Sequence, residues 1–394
     1  MATEDDQGFM RRALALAEHG RGRVTPNPLV GAVVVRDGEI VGEGWHLGPG
    51  TAHAEIRALH AAGDRARGAT LYVTLEPCAH HGRTPPCAPA VLAAGVARVV
   101  AAIGDPFPAV DGKGFDVLRA GGVAVELGPG REEAEEQNLG FLHAVRHGRP
   151  HVTLKMAASL DGKVTARDGS SRWISGEASR ARVHRMRAEA DAIMAGAGTV
   201  LHDDPRLTAR DPGYGGSPKL RVVVDGRGVV PATHRVFDGE APTLVATTGR
   251  ANPAVARAWS RAAEVLTFDD LAGRVPLDQL LKELGARDVQ SVLLEGGPTL
   301  AADAVTRGLV DRVVVFLAPI LIGGTAAPGL LGGEGVPTIS EALPLSLRRM
   351  ERFGDDVMVV ADVGGFGGAA RPVERSSRAR PATEPPVMNG RGSS

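Results

Sequence analysis

The chain has 394 residues, of which 43% are hydrophobic and 4% aromatic, and its 45 Lys and Arg are balanced by 46 Asp and Glu. A length of this order favours two or three domains, each able to bury a core. The even charge lacks the basic surplus with which proteins hold nucleic-acid phosphates. The longest apolar run, residues 313–322, contains Pro319 and falls far short of a membrane span. The acidic start, Met1-Ala-Thr-Glu-Asp-Asp6, is unlike a secretory or mitochondrial leader, so a cytoplasmic location is expected. The two cysteines, Cys78 and Cys87, each follow a proline. In a large cytosolic protein, reactivity or metal binding is their expected use, in preference to a disulfide framework.

In chain order, an amphipathic helix carrying Phe9, Leu14 and Leu16 comes first. Strands over 30–35 and 39–44 flank Asp37-Gly38, a pair suited to a tight hairpin. A helix with Ile56, Leu59 and Ala62 on one face follows His53. Then come a strand at 71–75, a helix at 87–94, a strand at 98–103, a helix at 112–120 and a strand at 123–126. Gly148 and Pro150 punctuate the bridge to a second pattern. Its strands are expected at 152–157, 192–195, 220–224, 243–246, 289–294 and 312–317, with helices at 179–188 and 278–284. A last strand is expected at 357–360. Strands alternating with helices predict layered α/β architecture, divided into residues 1–148 and 149–363. From Gly364 the chain is mostly Gly, Pro, Ser, Arg and Ala, which predicts a disordered tail over 364–394.

The chemistry of the first half concentrates in His53-Ala-Glu55, Pro77-Cys78 and Cys87. One His and two Cys supply three of zinc's four tetrahedral positions, and a catalytic zinc keeps the fourth for water. The metal lowers the pKa of that water to about 7. Glu55 stands close enough to move protons without being a ligand. Residues two apart diverge within a regular helix, so the motif belongs at a helix start, where both can be aimed inward. A thiolate at Cys78 gains from the amino terminus of the helix that follows. His-x-Glu, then Pro-Cys, then Cys is the order of the zinc deaminases, although eight residues separate the two cysteines here. Two rivals stay open. One is a structural zinc module, closed by His80 or His81 as fourth ligand and joined to a nucleotide-binding domain. The other is a deaminase that edits nucleic acid, which needs basic and aromatic surfaces.

The second half has no Gly-x-Gly-x-x-Gly after a predicted strand. Leu294-Glu-Gly-Gly-Pro-Thr-Leu300 joins a strand to a helix instead, where glycines let free amides approach a phosphate. Gly196-Ala-Gly-Thr199 is a weaker instance of the same turn.

Thr25-Pro-Asn-Pro-Leu-Val-Gly31, His53-Ala-Glu55 and Leu75-Glu-Pro-Cys-Ala-His-His-Gly-Arg-Thr-Pro-Pro-Cys87 resemble the deaminase half of the bifunctional riboflavin-biosynthesis deaminase/reductases. Lys155-Met-Ala-Ala-Ser-Leu-Asp-Gly-Lys163, Ser171-Arg-Trp-Ile174, Gly198-Thr-Val-Leu-His-Asp-Asp-Pro-Arg-Leu-Thr208 and the Glu-Gly-Gly segment resemble the reductase half. The resemblance implies a cytidine-deaminase-like three-layer domain followed by a dihydrofolate-reductase-like α/β domain. It implies one Zn2+ on His53, Cys78 and Cys87, with Glu55 as the catalytic proton shuttle, and NADPH as the second cofactor. Asn27, His46, His80 and Arg83 are then expected around the deaminase substrate. Asn27 suits a pyrimidine edge and Arg83 a phosphate.

The same resemblance lines the NADPH site with Ala157, Trp173, Thr199, Asp203, Gly297, Pro298, Thr299, Leu300, Ala301, Ala302 and Asp303. It assigns substrate contacts to Ser171, Arg187, Leu207, Arg210 and Glu295, while Arg180, Arg182 and Arg185 read as solvated charges. Two consecutive reactions on a small pyrimidine ribonucleotide are implied. They are hydrolytic deamination of 2,5-diamino-6-(5-phosphoribosylamino)pyrimidin-4(3H)-one, then NADPH-dependent reduction of the ribosyl group to ribityl. Asp203 or a bound water is the candidate acid for the second step. A homo-oligomer is expected, with neither nucleic acid nor membrane as partner.

Overall fold

The structure is a computed structural model, and the residues it describes are 4–82, 84–211, 213, 216–269 and 274–364. Arg83, expected at the deaminase substrate, and the tail beyond Gly364 lie outside them.

In the first half α1 (Glu4–Ala17) leads to β1 (Gly31–Arg36) and β2 (Glu39–Trp45), then α2 (Ala54–Ala62) and β3 (Thr70–Leu75). There follow α3 (Cys87–Ala93), β4 (Arg98–Ile103), α4 (Lys113–Ala120), β5 (Ala124–Leu127), α5 (Arg131–Gln137) and α6 (Leu139–His147). The sheet runs β2-β1-β3-β4-β5, antiparallel from β2 to β3 and parallel from β3 to β5. Asp37 and Gly38 take positive φ between the paired residues Arg36 and Glu39, the backbone a two-residue hairpin demands. Alternation along the strands builds two cores. Ala32, Val34, Leu71, Val73, Val99 and Ala101 pack with residues of α2, α3 and α4. Val33, Val35, Tyr72, Val100 and Ala102 pack with residues of α1, α5 and α6. Three layers result.

The second half contains β6 (His151–Ser159), α7 (Glu177–Glu189), β7 (Ala192–Gly196), α8 (Ala197–Asp203), β8 (Leu220–Val224) and β9 (Thr243–Thr248). It continues with α9 (Pro253–Trp259), β10 (Glu264–Phe268), α10 (Leu277–Ala286), β11 (Ser291–Leu294), α11 (Pro298–Thr306), β12 (Arg312–Ala318), β13 (Leu345–Phe353) and β14 (Asp356–Val363). Its sheet runs β10-β9-β8-β7-β11-β6-β12-β14-β13, parallel as far as β12 and antiparallel in the last two pairings. The central strands read as continuous apolar runs because both faces are covered: Met194 and Val222 enter one core while Ile193 and Val223 enter another. Gly148, at φ 64°, ends α6, and Pro150 turns the chain into β6.

Several elements lie outside the predicted set. α5 is Arg-Glu-Glu-Ala-Glu-Glu-Gln and buries Ala134 alone, so it carries no apolar period. β13 is exposed from Leu345 to Met350 and is held by its pairing with β14. α6, α9 and the edge strand β10 are further additions. The strand expected at 289–294 is shorter and begins at Ser291; the N–H of Gln290, just before it, donates to the Asp191 carboxylate. Among the described residues, no helix is long and apolar enough to cross a membrane.

Candidate active sites

His53 is the N-cap of α2, with extended backbone at φ −68° and ψ 164°, and Glu55 is the helix's second residue. The change from extended to helical backbone between them brings two residues of i,i+2 spacing into one site. The helix lies close against β2: a Cβ on Gly44 would stand 2.4 Å from the Ala54 carbonyl oxygen. At the end of β3, Glu76 is buried, and its carboxylate accepts N–H bonds from Asp105, Gly112, Gly114 and Phe115 at 2.9–3.3 Å. These bonds tie the segment leading to Cys78 to the start of α4. Cys87 opens α3, its N–H donating to Cys78 Sγ at 3.4 Å, while the Ala88 N–H donates to the Cys78 carbonyl at 3.0 Å.

His53 Nδ1 lies 3.2 Å from Cys87 Sγ and 3.6 Å from Cys78 Sγ. Tetrahedral zinc with bonds of about 2.0–2.3 Å sets its donor atoms roughly 3.3–3.8 Å apart, so the set fits the metal. Among the described residues no fourth His, Cys, Asp or Glu joins the group. His80 lies with its ring 5.9 Å from that of Phe107, and His81 is exposed. One nitrogen and two sulfurs without a fourth protein donor is the donor set of a catalytic zinc. Thr84 Oγ1 sits 3.1 Å from His53 Nε2, the ring nitrogen facing away from the sulfurs. That contact fixes the imidazole with Nδ1 towards the metal position.

Glu55 is 3% exposed, and burial raises its pKa against the opposing pull of His53. The Cys78 thiol is lowered, chiefly by its hydrogen bond with Cys87, with His53 adding and burial opposing. The Cys87 thiol is pushed up by the same bond and by burial. Asn27 Nδ2 is 2.8 Å from His46 Nε2, and the His46 ring stands edge-on to His53 at 5.4 Å. Burial lowers the His46 pKa, the His53 charge adds to the shift, and a backbone hydrogen bond with Ala52 opposes it.

In the second half the strand ends carrying Ala157, Gly196, Val224 and Glu295 open onto a cleft of about 1270 Å³. This is where ligands sit on parallel sheets, outside the carboxyl ends of the strands. Ser171, Trp173, Arg187, Thr199, Asp203, Leu207 and Arg210 line it, as do Gly297, Pro298, Thr299, Leu300 and Asp303. Two expected residues are placed elsewhere: Ala301 is fully buried in the core, and Ala302 is not part of the cleft wall. Beyond the first residues of α11, Pro298 and Thr299, the helix shows the wall only one stripe, Leu300 and Asp303. Gly297 is the N-cap of α11 and Gly196 that of α8, so both helices begin at the cleft. A Cβ on Gly297 would meet Thr199 Oγ1 at 3.4 Å, which brings the two turns face to face.

Arg187 and Glu295 form a two-bond ion pair at 2.6 and 2.7 Å. Burial opposes ionisation of Glu295, yet the Arg187 charge and hydrogen bonds hold its pKa down to about 2. Lys155, on the cleft wall, has its pKa lowered by burial, with the Glu295 charge opposing. Arg180 also lines the cleft, its guanidinium 4.5 Å from the Trp173 ring centre, which corrects its reading as a solvated charge. Arg182 pairs with Glu189 and Arg185 with Asp211. Thr84, Glu76 and Lys155 all lie inside the motif segments. No spacing singles them out, because each acts through tertiary contacts.

A three-donor zinc site with a buried carboxyl, joined to an α/β domain with a glycine-turn cleft, defines a two-domain deaminase and nucleotide-site enzyme. Comparison with known proteins sharpens this class. Residues 3–103 match the cytidine and deoxycytidylate deaminase zinc-binding region, and residues 150–359 match the RibD C-terminal domain. The riboflavin biosynthesis protein RibD of Escherichia coli is 41% identical over 89% of this chain and 98% of its own. That of Bacillus amyloliquefaciens is 42% identical over 90% and 96%. The solved RibD of Acinetobacter baumannii superposes with a TM-score of 0.82 at 35% identity, over 92% of this chain and 99% of its own. A Thermotoga maritima structure, described as a diaminohydroxyphosphoribosylaminopyrimidine deaminase/5-amino-6-(5-phosphoribosylamino)uracil reductase, gives 0.80 at 36% identity, over 91% and 98%. The chain belongs to the RibD family, the bifunctional deaminase/reductases of riboflavin biosynthesis.

Proposed function

We propose that the chain converts 2,5-diamino-6-(5-phosphoribosylamino)pyrimidin-4(3H)-one to 5-amino-6-(5-phosphoribosylamino)uracil, then reduces the ribosyl group to ribityl with NADPH. The observation that carries this reading is the donor set of His53, Cys78 and Cys87 beside buried Glu55. Zinc held there supplies activation of water for attack on the ring carbon that bears the amine. Glu55 would carry the first water proton to the ring nitrogen and the second, from the added hydroxyl, to the amine that leaves as ammonia. Asn27 and His46, whose side chains meet at 2.8 Å, orient the pyrimidine through the donors and acceptors they carry. His80 and Arg83 are assigned to the same substrate.

In the second half NADPH supplies the hydride when bound. The chain's part is positioning and charge. Helix starts at Gly196 and Gly297 offer amides to phosphates. Ala157, Trp173, Thr199, Asp203 and residues 297–300 and 303 would hold the dinucleotide. Ser171, Arg187, Leu207, Arg210 and Glu295 would hold the substrate. Lys155 joins Asp203 as candidate proton donor to the ribose, since a desolvated ammonium with a lowered pKa releases its proton more readily.

The enzyme is assigned to the cytoplasm as a homo-oligomer. The exposed apolar residues Leu345, Leu347 and Met350 on edge strand β13 support self-association, which size-exclusion chromatography with light scattering measures. The test of function supplies the diaminopyrimidine nucleotide and follows ammonia and NADPH absorbance separately. One ammonia released per NADPH oxidised is expected. Ammonia release without NADPH oxidation would remove the reductase half of the reading.

A further inference from the structure

The loop from Gly22 to Leu29 carries Asn27 to the deaminase site, and its anchoring is divided between the two domains. On the deaminase side, the Asn138 side chain accepts from the Leu29 N–H at 2.7 Å and donates to the Leu29 carbonyl at 3.0 Å. Val24 packs with Ala17 and Leu29, and the Asn27 N–H donates to the Val24 carbonyl at 2.8 Å. The other anchors come from the reductase domain. Lys219 Nζ donates to the Gly22 carbonyl at 2.8 Å, the Thr25 hydroxyl donates to Asp191 Oδ1 at 2.6 Å, and Gln290 Nε2 donates to the Pro26 carbonyl at 2.6 Å.

The three reductase residues share one place in the fold. Lys219 immediately precedes β8, Asp191 precedes β7 and Gln290 precedes β11, and these strands are neighbours in the order β8-β7-β11. Asp191 is itself fixed: its other oxygen accepts from the Gln290 N–H, the Ser291 N–H and the Ser291 hydroxyl at 2.8–3.1 Å. The amino-terminal edge of the sheet thus presents a preset row of partners to the loop, while the opposite ends of the same strands open onto the reductase cleft. A cavity of about 220 Å³ beside this contact is lined by Thr25, Asn27, Asp191 and Gln290. Directed hydrogen bonds, in place of close packing, therefore fix the loop on that side.

We infer that the amino-terminal edge of the reductase sheet positions the substrate-reading loop of the deaminase site, with Thr25, Lys219 and Gln290 as positioning residues for deamination. The inference rests on the reading of Asn27 as a substrate contact. Asn27 follows directly on the two residues, Thr25 and Pro26, that Asp191 and Gln290 hold. A displaced loop weakens binding of the pyrimidine without altering the zinc ligands or Glu55.

The test uses the full-length zinc-loaded enzyme and the variants Thr25→Val, Thr25→Ser, Gln290→Leu and Thr25→Val/Gln290→Leu, with Asn27→Ala as reference. Steady-state ammonia release from the diaminopyrimidine nucleotide gives KM and kcat, and NADPH oxidation on the deaminated intermediate is measured in parallel. Zinc is counted by atomic absorption. A single lost bond is expected to raise the deaminase KM roughly three- to tenfold, and the double variant more. Deaminase kcat, zinc content and NADPH oxidation should remain at wild-type values, and Thr25→Ser should restore the wild-type KM. If Asn27→Ala raises KM while the double variant does not, the inference fails and the reading of Asn27 stands. If Asn27→Ala leaves KM unmoved, the reading of Asn27 fails and takes the inference with it. Parallel loss of both activities, or of zinc, overturns it in favour of a general structural role.

Discussion

The two candidate sites ask different things of the chain. The deaminase site needs one nitrogen and two sulfurs, all within 4.8 Å, and a carboxyl beside them. The reductase cleft is a volume of about 1270 Å³ with helix starts, glycine turns and long side chains on its walls. Coordination depends on atom type, so it is written into residue identity. A nucleotide cleft draws on backbone amides that every residue but proline owns, and it marks the sequence mainly with glycines. A site of the first kind should fail almost completely on loss of one atom, whereas the second should fail by degrees.

The largest effect should follow removal of the metal. Chelation of zinc, or Cys78→Ala, is expected to abolish ammonia release and leave NADPH oxidation on the deaminated intermediate unchanged. Loss of both activities together would break the comparison, because the two sites would then share one dependence. Glu55→Gln sharpens it further. The variant should keep its zinc and lose deamination by about 10²–10⁴-fold, the usual worth of a positioned acid–base group. Zinc loss in Glu55→Gln would make Glu55 a structural support for the metal.

The reductase cleft should respond through its ion pair. The Glu295 pKa, about 2, lies below the unfolded carboxyl value. Such a group adds stability that is complete above about pH 4.3, its unfolded pKa, and fades as pH falls through its folded value. Arg187→Met leaves Glu295 buried with Lys155 and His184 as its remaining basic neighbours. A loss of about 3–5 kcal/mol in urea unfolding at neutral pH is expected for breaking a buried pair. That deficit should shrink on acidification, because the stranded carboxyl can then take a proton. A deficit that stays constant from about pH 7 to pH 4, a range that spans the unfolded carboxyl pKa, would show that Arg187 stabilises the domain by some other means. NADPH oxidation should fall in the same variant while zinc and ammonia release persist.

The same contrast governs what a sequence reveals. His53, Cys78 and Cys87 are legible as a metal set from residue type and spacing, because few other uses suit two proline-flanked cysteines and a His-x-Glu. The deaminase strands are legible too, since Val33 and Val34 face different cores and the alternation is regular. β13 is not, because from Leu345 to Met350 it buries no face and owes its order to pairing with β14. α5 is hidden by its charge, with one buried alanine in seven residues. In the cleft, the run from Gly297 to Asp303 marks the right helix, but nothing in the sequence tells which stripe of it Ala301 and Ala302 occupy. That depends on how α11 is rotated against the sheet. Lys155 and Thr84 are invisible as individuals for a related reason: their partners lie far away in sequence.

Thr84 gives the smallest of these effects and bears directly on the comparison. Its hydroxyl sits 3.1 Å from His53 Nε2, on the side of the ring away from the sulfurs. If coordination is decided by the donor atoms alone, Thr84→Val should be silent. If the ring must be held with Nδ1 towards the metal, the loss of that contact should weaken zinc binding by about 10–100-fold, as for other groups that orient metal-bound histidines. Competition with a chelator of known affinity measures this without relying on turnover. Thr84→Ser keeps the hydroxyl and should retain most of the affinity, which separates the hydrogen bond from the packing of the methyl group. NADPH oxidation on the deaminated intermediate should be the same in both variants. An unchanged zinc affinity in Thr84→Val would place the orientation of His53 entirely in its backbone, at the N-cap of α2.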